Sequence, residues 1–249
     1  MTLMEFFGCT FIAFGPPAAL FILTIANEPL RVIVLIASAF FWLLSLLLSS
    51  IWWYIVIPLR EEIAFGLVFS VIFQEIFRLL FYVLLGKAAE GLKTFCQQGE
   101  GDTNMLSLVN HRHLMAYVCG LGYGMVCGTF SLVNILADMA GPGTIGIYGD
   151  PQNFFLASAF MTLCMVLLHT FWGIIFFDGF YTKKYYQPIV VVLSHLLVSC
   201  LTLLNERQPP MYLASILPAY ASLVAMGIWA FTIVGGSPRS MKAYVVRES

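Results

Sequence analysis

Seven apolar stretches, each long enough to cross a bilayer or nearly so, leave this chain very few folds. They run over residues 3–26, 32–57, 64–86, 114–137, 154–180, 188–204 and 212–234. A spanning helix needs about 20 mostly apolar residues, and the sixth stretch is the shortest. In hydrocarbon the backbone must satisfy its own N–H and C=O groups, which favours helices. The chain therefore reads as all-α, a single polytopic domain of seven transmembrane helices over residues 1–249. Composition supports this: 60% of the 249 residues are hydrophobic and only 10% charged. Soluble domains run nearer half apolar and a quarter charged, so the excess must face lipid.

Loop charges give the bundle a direction. With the N-terminus outside, the inner segments carry Arg31, Lys87, Lys93, Arg112, Lys183, Lys184, Arg239, Lys242 and Arg247. The outer loops carry only Arg60 and Arg207. Basic residues favour the cytoplasmic side, so the N-terminus is expected outside and the C-terminus in the cytoplasm. The net charge of −1 argues against a nucleic-acid partner, which would need a basic stripe. No basic n-region of a cleavable signal precedes the first span. The six cysteines lack metal or disulfide spacing, and five of them lie in apolar runs. Pro16 and Pro17 should kink the first span, and Pro218 should bend the seventh. Two connections have a distinct character: a Gly- and Pro-rich outer turn over 138–153, and a cytoplasmic loop over 87–113 that is the only sizeable soluble stretch.

The fourth span carries Ala116, Gly120, Gly124 and Gly128 at intervals of four, with Gly122 beside them. Residues four apart share a helix face, so the stripe forms a shallow groove for another backbone. Lipid supplies no hydrophobic drive for helix association, and close packing at small residues replaces it. The groove's occupant is either another helix of this bundle or a partner's helix.

Polar residues inside spans are rare and usually face the protein interior. Here they are Gln74, Glu75, Arg78, Asn134, His169, Asp178 and His195. Glu75 and Arg78 stand one turn apart and can neutralise each other. At 1.5 Å per residue, His169 lies roughly 16 Å from the inner end of span five. His195 lies roughly 11 Å from the same side on span six. The rings thus share a level, either as hydrogen-bonded structural groups or as pins for a partner helix. Two histidines are too few for zinc, so no metal or cofactor is expected.

Catalytic patterns are missing. An intramembrane aspartyl protease needs two carboxylates close enough to share a proton. Asp138 and Asp178 fall at opposite ends of their spans, on the order of 30 Å apart. The chain contains no HExxH and no GxSxG.

Several blocks are distinctive: FFGCTFIAFGP, QEIFR, MAYVCGLGYGMVCGTFSLVNILADMAGPG, LLHTFWGIIFFD, SHLL, and WAF with GGSPRS. In these blocks the chain resembles the anterior-pharynx-defective (Aph) subunit of γ-secretase over essentially its whole length. The resemblance implies a noncatalytic scaffold that assembles with presenilin, nicastrin and the presenilin enhancer subunit. It implies cleavage by the complex of type I membrane proteins such as Notch. It also implies residence in endoplasmic reticulum, Golgi, endosomes and plasma membrane. The family's tandem glycines match Gly120, Gly124 and Gly128, and its membrane histidines match His169 and His195, positions that serve assembly. The rival reading is a seven-helix transporter or receptor, with Glu75, Arg78 and the histidines lining a wet pocket.

Overall fold

The computed structural model describes residues 3–59, 61–97, 111–140, 153–207 and 209–237. The helices are α1 (Leu3–Thr24), α2 (Pro29–Ile55), α3 (Ile63–Gln97), α4 (Arg112–Ala140), α5 (Phe154–Tyr181), α6 (Tyr186–Leu201) and α7 (Tyr212–Ile233). Among the described residues, seven helices are long and apolar enough to cross a membrane. The chain is a multi-pass α-helical membrane protein.

Local chemistry explains the junction of α1 and α2. Pro29 opens α2 at its first turn, where a missing N–H costs nothing. Arg31 donates from Nη1 to the Thr24 carbonyl at 2.6 Å, which satisfies the end of α1. Pro16 and Pro17 sit inside α1 without ending it, as does Pro218 in α7. Neighbouring helices can take up the groups that such prolines free. The short α6 is lengthened by a 3-10 stretch at Thr202–Glu206.

One expectation needs correction. Residues 87–97 are not loop: α3 continues through them to Gln97. Ala88, Ala89, Glu90, Leu92 and Lys93 are all good helix formers, and no proline interrupts them. Loss of hydropathy marks the membrane edge, not the end of the helix. The outer turn expected over 138–153 falls mostly outside the described residues, and α4 runs on to Ala140.

Burial shows which helices are central. Over the apolar 18-residue stretch of each span, 67% is buried in α5 and 59% in α4, against 17% in α1 and α7. The most extensive helix pairing is α4 with α5. Around this antiparallel pair, α2 packs on α4 and α3, while α1, α6 and α7 pack on α5. Trp172, Leu168 and Ile175 of α5 are fully enclosed in the main core. The outer faces of α1, α2 and α7 keep Phe11, Leu23, Ile36, Leu213 and Ile228 exposed, as a lipid-facing surface requires.

Candidate functional site

The closeness of α4 and α5 is set by glycines. A methyl group added at Gly120 would stand 2.7 Å from the Thr170 carbonyl oxygen. At Gly124 it would stand 3.0 Å from Cα of Val166 and nearer still to its carbonyl oxygen. At Gly128 it would meet Cγ2 of Val166 at 2.6 Å. The contact is reciprocal: a methyl at Gly173 of α5 would lie 2.8 Å from Cα of Gly120. Of the two occupants considered for the groove, the chain's own α5 fills it. A partner helix cannot also enter without displacing α5. Gly122 points elsewhere, against Leu35 and Ser38 of α2.

Beside this close approach, three spans meet around a charged cluster. Glu75 and Arg78 project from α3, His169 from α5 and His195 from α6. Their exposures are 5%, 3%, 0% and 1%, so lipid and bulk water are both excluded. Arg78 Nη2 stands 3.3 Å from Glu75 Oε1. The same nitrogen donates to His169 Nδ1 at 2.8 Å, so the His169 proton sits on Nε2. His195 Nδ1 donates to Glu75 Oε1 at 2.7 Å. The order is thus His169, Arg78, Glu75, His195, with one cation, one anion and two imidazoles. The array is neutral overall when both rings are neutral.

Aromatic rings wall this array. The His169 and His195 centroids are 5.0 Å apart, and Trp172 lies 4.5 Å from His195 and 5.3 Å from His169. Arg78 Cζ lies 5.1 Å from the Tyr123 ring and 5.8 Å from Phe176. Arg78 Nε and Nη1 have no hydrogen-bond partner among the described residues. The two rings therefore supply the guanidinium with its remaining attraction.

Gln74 forms a second tier. Its Oε1 accepts from Trp42 Nε1 at 3.0 Å, its Nε2 reaches Ser70 Oγ at 3.2 Å, and its carbonyl accepts from the Tyr123 hydroxyl at 2.9 Å. This ties α2, α3 and α4 at one depth. Asp178 is not part of the cluster. It is buried at the end of α5, 4.0 Å from Arg112 Nη2. Asn134 lies in α4, and its side chain is outside the described residues. Arg112 and Asp138 are 26 residues apart on α4, roughly 39 Å, so Asp178 beside Arg112 is remote from Asp138.

Sequence reading missed Trp42, Tyr123, Trp172 and Phe176. The last two carried a usable signal, because they follow His169 at i+3 and i+7 on one face of α5. Trp42 and Tyr123 reach the site from other helices, and no spacing rule announces them.

A cavity of about 330 Å³ lies beside the cluster, with Ser70, Gln74, Thr162, His195, Ser199 and Asn205 in its wall. Glu75, Arg78 and His169 do not line it. If the two rings act through one array, the His169→Ala and His195→Ala losses in thermal stability will not add. The expected coupling is on the order of 0.5–3 kcal/mol, read from melting of the single and double variants in mild detergent. Additive losses would mean that the rings act separately.

Together these features define a class: a seven-span helical membrane protein held by a glycine-seated helix pair and a self-neutralising polar core. Within that class the chain belongs to the Aph-1 family, whose model, described as Aph-1 protein, matches residues 4–237. It is 51% identical over 245 residues to the gamma-secretase subunit Aph-1 of Drosophila melanogaster, covering 98% of this chain and 99% of that one. It is 50% identical over 251 residues to the gamma-secretase subunit APH-1B of Homo sapiens, covering 97% and 93%. A more distant relative, the gamma-secretase subunit aph-1 of Caenorhabditis elegans, is 34% identical over 219 residues, covering 80% and 71%.

Proposed function

We propose that this chain is a noncatalytic scaffold subunit of a γ-secretase complex, with presenilin, nicastrin and the presenilin enhancer subunit as its partners. It stabilises presenilin and nicastrin and so supports cleavage of type I membrane proteins such as Notch. The relatives' names support membership of the complex. The observation that carries the scaffold role is the polar core itself. Its charges pair with each other across α3, α5 and α6, and three of its four members stand off the neighbouring cavity. A transport or receptor site would offer those groups to a ligand. Here they hold helices in register, which is the work of a scaffold.

In this reading Gly120, Gly124, Gly128, His169 and His195 serve assembly indirectly. They fix the α4–α5 pair and the position of α6, and so the outer faces that partner helices meet. Gln74, Glu75, Arg78, Asn134 and Asp178 are structural. The N-terminus is outside, the C-terminus is cytoplasmic, and the complex works in endoplasmic reticulum, Golgi, endosomes and plasma membrane.

A pull-down of the tagged full chain in mild detergent, followed by quantitative mass spectrometry, tests this. Presenilin and nicastrin are expected in equal stoichiometry with the bait. Recovery of the chain alone, from membranes that contain those partners, would return the transporter or receptor reading to first place.

A further inference from the structure

The basic end of the bundle holds a second cavity that the polar core does not use. It occupies about 560 Å³ between α3, α4 and α5. It arises because α3 packs chiefly on α2 and α6 and stands apart from α4 and α5 at this end. Aromatic contacts bridge the gap: Tyr82 of α3 lies 5.1 Å from Phe177 and 5.6 Å from Phe180 of α5. Tyr82 and Phe177 form an inner floor.

The wall changes character with depth. Val83, Met115 and Phe177 line the deeper part, and Val83 is 46% exposed on the flank of the bundle. One turn further along α3, about 6 Å nearer the membrane edge, comes Lys87, with Lys93 beyond it. Arg112 stands across the opening on α4. Lys87 follows directly on the apolar stretch 64–86, so its ammonium lies at headgroup level.

The charges of the described residues here do not cancel. Among those residues two acids border the cavity, Glu90 and Asp178. Asp178 is taken up by Arg112 at 4.0 Å, and that guanidinium also lies over the Tyr181 ring at 4.0 Å. Neither Lys87 nor Lys93 forms an ion pair with any described residue. Among the described lining residues Glu90 is thus left with two lysines, and they give the cavity excess positive charge above an apolar wall.

We infer that this cavity binds an anionic phospholipid of the adjacent leaflet, with its phosphate between Lys87, Lys93 and Arg112 and an acyl chain against Val83. Basic pockets between transmembrane helices on the cytoplasmic side suit such headgroups. The apolar wall opening on the bundle's flank favours a lipid over an acidic peptide, which has no chain to lay against Val83. The inference uses the topology proposed above but not the partners. It is tested on the chain without them, so it can fail while the scaffold reading stands.

The full chain is reconstituted in phosphatidylcholine vesicles that contain a trace of photoactivatable phosphatidylserine or, separately, photoactivatable phosphatidylcholine. The anionic probe is expected to label peptides from the inner ends of α3 and α4. The Lys87→Gln/Lys93→Gln double variant should reduce that labelling on the order of tenfold, with the phosphatidylcholine signal unchanged. The Lys87→Arg/Lys93→Arg variant should retain it, which separates loss of charge from loss of fold. Equal labelling by both probes, or anionic labelling indifferent to the glutamine variant, would overturn the inference. So would an intact complex in which this cavity cross-links to an acidic segment of another subunit and excludes the anionic probe.

Discussion

Gly124→Leu is expected to unfold the α4–α5 pair in the isolated chain, before any partner is present. A β-carbon at this position lands 3.0 Å from Cα of Val166 and closer to its carbonyl oxygen. Both obstacles are backbone, so no rotamer change relieves them. Even Gly124→Ala requires the two central helices to move apart, and overpacking of a close-fitting core costs about 1–3 kcal/mol. Leucine adds three further carbons in the same place and should cost more. The control is Gly8→Ala in α1, where no atom of another helix lies within 4 Å of the added carbon and no proline directly follows. That change should be neutral or should stabilise by up to about 1 kcal/mol, the helix propensity gain of alanine over glycine. Melting of the purified chain in mild detergent reads both, and the yield of mature complex reads the consequence. The order of effects matters. A groove reserved for a partner would leave the isolated chain's melting point unchanged and lower only complex yield. A groove filled by α5 lowers the melting point first. An unchanged melting point for Gly124→Leu would therefore sink the internal-packing account.

How far the sequence anticipated this site depended on whether each contact was local. Glu75 and Arg78 are one turn apart, and they do pair. The histidine depths, counted in rise per residue from one membrane face, brought two rings to a common level, and their centroids lie 5.0 Å apart. Direction around the helix axis was harder. The interval of four identified a face on α4 but could not say which helix lay against it, because lipid, partner and neighbour all accept a small-residue stripe. Gly122, two residues off the stripe, seats α2 instead. The Trp42 bond to Gln74 joins helices 32 residues apart in sequence, and Tyr123 reaches Gln74 from 49 residues away. No periodicity encodes such pairs. The extension of α3 to Gln97 was hidden for another reason. Hydropathy reports the solvent around a helix, whereas helix propensity reports the helix, and the two part company at the membrane edge.

Removing Arg78 should be the most damaging side-chain change in the polar core, because one nitrogen of this residue serves two partners. Nη2 holds Glu75 at 3.3 Å and His169 at 2.8 Å. In Arg78→Met the Glu75 carboxylate keeps only His195 as a partner, and His169 Nδ1 loses its donor. Breaking a buried pair by deleting one member costs about 3–5 kcal/mol, since the remaining charge is stranded without water. Glu75→Gln strands the opposite charge but leaves the Arg78 bond to His169 in place, and should cost somewhat less. Removing both charges removes the stranded ion, so Glu75→Gln/Arg78→Met is expected to be more stable than either single variant. That inversion distinguishes an ion pair from two independently useful side chains. The measurement is a double-mutant cycle on the melting of the full chain in mild detergent, with complex yield as a parallel readout. A double variant that falls below both singles, by the sum of their losses, would mean that Glu75 and Arg78 stabilise the bundle through separate contacts. A rescued double variant that still fails to assemble would assign the pair a direct part in meeting the partners, beyond holding α3 against α5 and α6.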